Sequence, residues 1–135
     1  MIRPALAVIA LSLLTLTGCG GSGVNPTLEG RQDPYASGQI MFADTTLRQN
    51  TAVQAPRVAR GEHGGILHVT VPIRNTSSKQ LIVDYRATWF DRNGSLLNQT
   101  TWSTKTLTPK VPDQVTINSM GPQAADFQID FRRAK

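Results

Sequence analysis

The stretch Ile66-Leu67-His68-Val69-Thr70-Val71-Pro72-Ile73-Arg74 decides the fold, because apolar and polar side chains alternate along it. Successive side chains of a strand point to opposite faces of its sheet. We therefore expect one face of this strand to be buried, and it carries Leu67, Val69, Val71 and Ile73. Pro72 has no backbone N–H, which predicts that the strand lies at a sheet edge or contains a bulge.

A second alternating run extends from Leu81 to Asp91. Its predicted core face includes Tyr85 and Trp89, the natural large core residues of a small domain. The cluster Asn75-Thr76-Ser77-Ser78-Lys79, between the two runs, is typical of a turn. We therefore predict that residues 66–90 form a hairpin of two long strands.

Weaker sequence patterns predict further turns and strands in the rest of the chain. Asp91-Arg92-Asn93-Gly94 predicts a hairpin turn, since Asn-Gly is a strong signal for turns that need positive φ. The chain would return as a strand over Ser95–Thr101. Further short strands are predicted at 40–43, 51–59, 115–119 and 127–131. Pro122-Gln123-Ala124-Ala125 is a candidate for a single helical turn.

These elements together predict an all-β domain. About seven short strands with turn residues between them indicate a small antiparallel β-sandwich. The chain has one cysteine, so an immunoglobulin-like core here would lack the disulfide.

The N-terminus has the composition of an export signal. Arg3 is followed by an apolar run from Ala5 to Leu16, which is shorter than the roughly 20 residues that a membrane-spanning helix needs. Leu16-Thr17-Gly18-Cys19 then resembles a bacterial lipobox. That resemblance implies removal of residues 1–18 and lipidation of Cys19. The alternative is an ordinary signal peptide with an incidental cysteine.

The segment after the cysteine is predicted to be a tether. Residues 19–38 contain Gly20-Gly21-Ser22-Gly23 and show no apolar periodicity, so we assign residues 39–135 to the sandwich domain. A flexible chain of this length spans about 25 Å. In lipoproteins of Gram-negative bacteria, an aspartate directly after the lipidated cysteine resembles a signal for retention in the inner membrane. This chain has Gly20 at that position. We therefore expect a lipid anchor on the periplasmic face of the outer membrane.

The charge of the chain gives little support to nucleic-acid binding. The net charge is +5, but most of the arginines lie far apart in the sequence. Only Arg132, Arg133 and Lys135 form a cluster, and no basic patch with interleaved aromatic residues is present. We expect a solvated, mildly basic surface and no nucleic-acid partner. Attraction to acidic surfaces of the envelope is the alternative.

No motif in the sequence indicates catalysis. His63 lies in the glycine-rich stretch Gly61–Gly65, and His68 lies on the predicted solvent face of its strand. Asp84 and Arg86, two residues apart on one strand, are predicted to form an exposed charge pair. The sequence contains no zinc spacing, phosphate loop or dinucleotide fingerprint. We therefore expect no enzyme activity, no cofactor and no metal.

Trp102 is the aromatic residue whose environment the sequence leaves open. Its neighbours within four residues on either side are all polar or charged, and Lys105 follows it closely. Trp102 could fold inward and close one end or edge of the sandwich. It could instead stand exposed as an anchor for a partner, which would make residues 99–105 the leading binding segment.

The stretch from Leu67 to Phe131 resembles the YcfL family of small bacterial lipoproteins. The resemblance is carried, in order, by Arg74-Asn75-Thr76, Tyr85-Arg86-Ala87-Thr88-Trp89-Phe90-Asp91, Gly94, Trp102, Leu107-Thr108-Pro109, Gly121-Pro122 and Ala125-Asp126-Phe127. It implies an immunoglobulin-like β-sandwich in the cell envelope, a domain without assigned function, and a gene often placed near that of a lipoprotein activator of peptidoglycan synthesis. It supplies no catalytic residues.

The sequence thus leaves two classes of function open. The first is a non-enzymatic module that binds another envelope protein through a sheet face or edge, and it should show a flat apolar patch. The second is a module for a small envelope ligand, such as a glycan, which should show a concave site lined by aromatic and polar groups. We expect the first.

Overall fold

The computed structural model describes residues 38–135, so the predicted signal peptide, Cys19 and nearly all of the predicted tether lie outside the described residues. Nine strands, a short α-helix and a 3₁₀ turn follow each other along this part of the chain. They are β1 (Ile40–Phe42), α1 (Thr45–Gln49), β2 (Thr51–Val53), β3 (Arg57–Arg60), the 3₁₀ turn (Glu62–Gly64), β4 (Leu67–Asn75), β5 (Leu81–Phe90), β6 (Leu96–Gln99), β7 (Ser103–Leu107), β8 (Pro112–Asn118) and β9 (Asp126–Arg133).

The strands form two sheets that pack as a sandwich. The first sheet has five strands: β1 pairs with β9, β9 with β5, and both β6 and β7 pair with the other edge of β5. In the second sheet β4 is central, with β8 on one side and β2 and β3 in succession on the other. The β1–β9 pair is parallel and the other pairs are antiparallel. The all-β sandwich predicted from the sequence is therefore confirmed.

The core lies between the sheets and follows the alternation read from the sequence. Leu67, Val69, Val71 and Ile73 of β4 are all buried, and Trp89 of β5 is fully buried. The Trp89 ring packs at 6.2 Å from that of Phe127 on β9. The predicted faces of β4 and β5 are thus correct.

The predicted hairpin of β4 and β5 is wrong, because the two strands belong to different sheets. Asn75 explains the crossing. Its fully buried side chain donates to the carbonyl oxygens of Lys79, at 2.7 Å, and Leu107, at 3.1 Å. Its Oδ1 accepts from the backbone N and the hydroxyl of Ser77. Asn75 therefore holds the connection that carries the chain from one sheet to the other.

Pro72 lies in the central strand of its sheet, and not at a sheet edge. Its carbonyl oxygen accepts from the N–H of Gln54, on the side where β2 and β3 meet β4. The N and the O of one strand residue point to the same side, so the missing donor of Pro72 faces the interruption between β2 and β3. The proline costs the ladder no hydrogen bond there, which is why a central strand tolerates it.

Three local predictions also need correction. The predicted strand 51–59 is divided into β2 and β3, and residues 103–107 form a strand that the polar sequence did not predict. Pro122 to Ala125 form no helix. The α-helix lies at Thr45–Gln49, where the Asp44 carboxylate accepts from the N–H of Leu47 at 2.6 Å as an N-cap.

The turn at Asp91–Gly94 joins β5 to β6 as predicted. Gly94 alone in this turn has a positive φ, of 78°, so it is not the two-residue turn in which Asn93 would also be left-handed. The Asp91 carboxylate accepts from the N–H groups of Asn93 and Ser95 and fixes the loop. Within residues 38–135, no helix has the length and apolar character required to cross a membrane.

Candidate interaction surface

The outer face of the five-stranded sheet carries a ladder of ion pairs between β5 and β9. Asp84 lies opposite Arg132 and Arg86 lies opposite Asp130 in the strand register. The Arg132 Nε is 3.2 Å from Asp84 Oδ2, and the Arg86 Nε is 3.1 Å from Asp130 Oδ2. The predicted pair of Asp84 with Arg86 is therefore wrong, because strand geometry brings each of them closer to its cross-strand partner than to the residue two positions away.

Neutral side chains complete the hydrogen bonding of both carboxylates. Thr104 of β7 donates its hydroxyl to Asp84 at 2.7 Å, and Gln128 donates its amide to Asp130 at 2.8 Å. Asp84 is only 7% exposed, so the ion pair with Arg132 is shielded from solvent on the carboxylate side. The ladder thus forms an ordered polar layer on the outer face of the sheet.

Trp102 lies on this layer, between β6 and β7. The Arg132 guanidinium carbon is 3.9 Å from the centroid of the Trp102 ring, and that of Arg86 is 4.4 Å from it. Thr100 holds the segment, because its N–H donates to the Ala87 carbonyl and its hydroxyl accepts from the Ala87 N–H. Trp102 is half-buried and lies outside the core, so it does not fold into the interior of the sandwich, and its role as an anchor for a partner stays a prediction.

Lys105 does not share this face with Trp102. In the register of β7 it lies opposite the buried Val83, which places it on the inner side of the edge strand. Its Nζ is 2.9 Å from Asp113 Oδ1 on β8, in the other sheet. Lys105 therefore joins the two sheets along one side of the sandwich, and the segment 99–105 presents its residues to two different faces.

Exposed apolar side chains surround the ion-pair ladder. Met41 lies beside Asp130 in the register and is 48% exposed, and Ile82 on β5 is 49% exposed. Leu96 of the edge strand β6, 65% exposed, lies opposite Phe90. We call the outer side of the five-stranded sheet, with these residues and Trp102, the Trp102 face.

The outer face of the four-stranded sheet is different. It presents His68 hydrogen-bonded to Asn118, at 2.8 Å, and Thr70 beside Thr116. Among the described residues, none of the exposed large apolar side chains lies on this face. Val58, in the same sheet, belongs to the edge strand β3 and lies opposite the buried Val69.

The two histidines are far from the Trp102 face. His63 is exposed in the 3₁₀ turn with a left-handed φ of 55°, and His68 lies on the outer side of β4. Within residues 38–135, no group of three or more His, Cys, Asp or Glu side chains is placed to hold a metal ion.

Two clefts of the described part are shallow. One, of about 300 Å³, is lined by residues that include Arg60, Asp91 and Pro122. The other, of about 520 Å³, lies around Arg57 and Pro72. Neither is lined by an aromatic side chain.

The comparison with protein families decides the classification. Residues 38–133 match DUF1425, whose description reads "Protein of unknown function (DUF1425)". The chain belongs to the DUF1425 family. The match covers the whole described sandwich up to the end of β9, so the ion-pair ladder and Trp102 lie inside the DUF1425 domain.

Solved structures support the DUF1425 fold. A DUF1425 family member from Shewanella sp. pv-4 is 28% identical and aligns with a TM-score of 0.55, over 63% of this chain and 79% of that one. Campylobacter jejuni cj0090 aligns with a TM-score of 0.62 and 16% identity, over 73% of this chain and all of that one. At that identity the second likeness concerns the fold alone. No curated protein matches the chain.

Proposed function

We propose that this DUF1425 protein is a lipid-anchored, non-enzymatic interaction module of the YcfL type. By this proposal it is held to the periplasmic face of the outer membrane and binds another envelope protein through the Trp102 face. On the basis of the resemblance to YcfL proteins, the proposal includes a link to peptidoglycan synthesis.

The proposed anchor is supported by the sequence before the sandwich. Leu16-Thr17-Gly18-Cys19 follows a basic start and a short apolar run, and Cys19 is the only cysteine of the chain. A single acyl chain binds a membrane only marginally, at about 0.8 kcal/mol for each buried methylene, whereas two or three chains on one cysteine hold it stably.

The asymmetry of the two outer faces is the observation that carries the proposed protein contact. Met41, Ile82 and Leu96 are exposed around Trp102 on one face, while the other outer face is polar. Tryptophan and arginine are enriched among the residues that dominate binding energy, and here exposed apolar side chains lie around them. The arginines beneath Trp102 hold its ring in place before a partner arrives, which reduces the entropy lost on binding.

This arrangement favours a protein partner over a glycan. A site for a small ligand brings aromatic and polar groups together in a concavity. Trp102 lies on a sheet surface, and the two shallow clefts described above have no aromatic lining.

Substitution of the cysteine tests the proposed anchoring. We expect Cys19→Ser to abolish labelling by radioactive palmitate and to remove the protein from the outer-membrane fraction, because no thiol remains to accept a lipid. Ser22→Ala, in the same segment, is the matched control and should change neither result. A Cys19→Ser protein that still fractionates with the outer membrane would contradict the proposal.

A further inference from the structure

The fold collects basic residues that are scattered in the sequence at one end of the sandwich. We call this the basic end: α1 with its cap, the connections 75–80 and 108–111, and the last residues of the chain from 133 onward. Its exposed cations are Arg48, Lys79, Lys110, Arg133 and Lys135. Asp44 is the one acidic residue that these described segments contain. Its Oδ1 lies 3.8 Å from the Arg133 Nε, so this carboxylate is paired.

The opposite end of the sandwich has a different charge. The hairpin turn after β5, the connection before β9 and the loop after β3 meet there, with Arg60 donating to the carbonyl oxygens of Pro122 and Ala124. Arg60 and Arg92 are the cations at this end, against Glu62, Asp91 and Asp126. The ten residues of β5 separate the two ends by about 33 Å, several times the Debye length of about 8 Å at physiological salt. The basic end therefore acts as a separate positive surface.

Asn75 gives this positive surface a fixed shape. Its side chain bonds to the Lys79 carbonyl, and its own carbonyl accepts from the Lys110 N–H at 2.9 Å. The next residue, Thr76, donates its N–H to the Asn50 carbonyl at the end of α1. One buried residue and its neighbour thus connect the three segments that carry Arg48, Lys79 and Lys110.

We propose that the basic end binds an acidic protein segment. Several cations held on a rigid surface select a partner with the complementary charge and accelerate its association. Val111, beside Lys110, is 50% exposed and offers an apolar contact that a polypeptide can use.

The position of the chain entry favours a protein over the anchoring membrane. Gln39 pairs with Asp126 and Ile129, so the chain enters β1 from the end opposite the basic end. If Cys19 carries the lipid, as proposed above, the tether joins the domain at the end opposite the basic end, so the attachment itself does not bring the basic end to the membrane surface. The preference for a protein over the membrane rests on the proposed anchor, whereas the difference in charge between the two ends of the sandwich does not.

A binding measurement in solution tests the proposal independently of the anchor. The probe is fluorescently labelled poly-L-glutamate, titrated with the purified full-length protein in a non-ionic detergent at physiological salt. The variant Arg48→Gln/Lys79→Gln removes two charges from the basic end. The control Arg57→Gln/Arg92→Gln removes two exposed charges elsewhere, so both proteins have the same net charge, and circular dichroism checks that both are folded.

We expect the basic-end variant to bind poly-L-glutamate about tenfold more weakly than the native protein, and the control to change by less than about twofold. Equal losses in both variants, or no binding by the native protein, would overturn the proposal. Vesicles of equal parts phosphatidylglycerol and phosphatidylethanolamine form the second arm, in which the proteins carry Cys19→Ser, so that no lipid anchor masks the effect of the charges, and detergent is left out. If Arg48→Gln/Lys79→Gln weakens binding to these vesicles as strongly as it weakens binding to poly-L-glutamate, the membrane is the partner. That result would also overturn the proposal.

Discussion

The guanidinium carbon of Arg132 lies 3.9 Å from the centroid of the Trp102 ring, while the same side chain pairs with Asp84. An arginine that bonds a carboxylate with one edge and packs against an indole with its plane is fixed in orientation. Trp102 is therefore part of an ordered surface, although its sequence neighbours are all polar.

Trp102→Ala should lower the free energy of unfolding by only about 1–2 kcal/mol. The change removes cation–π contacts worth up to about 2 kcal/mol but leaves no cavity in the core. Trp89→Ala, which empties a fully buried site, is the comparison and should cost about 3–5 kcal/mol. Denaturant unfolding of residues 38–135 measures both. Equal losses for the two variants would mean that Trp102 supports the core.

Val71→Asp should prevent folding or cost several kcal/mol, since it buries a carboxylate without a partner between the sheets. A loss of that size is a large part of a typical stability of about 5–15 kcal/mol. Thr70→Asp, one residue earlier and on the outer face, is the control and should melt close to the native temperature. Similar melting temperatures for both variants would show that the assigned faces of β4 are incorrect.

Asn75→Ala should cost about 2–3 kcal/mol, because the buried carbonyl oxygen of Leu107 loses its donor and the part-buried carbonyl oxygen of Lys79 keeps only the Ser77 hydroxyl. Ser78→Ala, in the same connection but exposed, should stay within about 0.5 kcal/mol of the native protein. Thermal unfolding compares the two. A neutral Asn75→Ala would mean that the crossing between the sheets does not depend on this side chain.

The strands and their buried faces could be read from the sequence, because alternation directly reports which side chains face the core. The pairing of strands could not. The polar cluster after Asn75 is equally suited to a hairpin and to a crossing between sheets, and the difference lies in bonds from Asn75 to Leu107, distant in sequence. Strand β7 could not be predicted, because Ser103-Thr104-Lys105-Thr106 contains no apolar residue and the strand forms by pairing with β5.

The Trp102 face was only partly predictable for the same reason. The sequence indicated that Trp102 is unusual among polar neighbours, but its contacts come from Arg86 and Arg132, on two other strands. Asp84 and Arg86 suggested a local pair, whereas the register of β5 and β9 gives each a different partner. Both strands carry the order Asp-x-Arg, at Asp84 and Arg86 on β5 and at Asp130 and Arg132 on β9. In an antiparallel pair this order can place each carboxylate opposite a guanidinium, so it could have revealed the ladder once the pairing was known.

Site-specific photocrosslinking in living cells tests most directly whether the Trp102 face binds an envelope protein. A photoreactive amino acid is placed at Ile82, on this face, or at Thr116, on the outer face of the other sheet, in the full-length protein. We predict that irradiation gives a discrete crosslinked protein adduct from Ile82 and none from Thr116, and that Trp102→Ala reduces the Ile82 adduct. The same adducts from both positions, or an adduct from Thr116 alone, would contradict the assignment of the interaction to the Trp102 face.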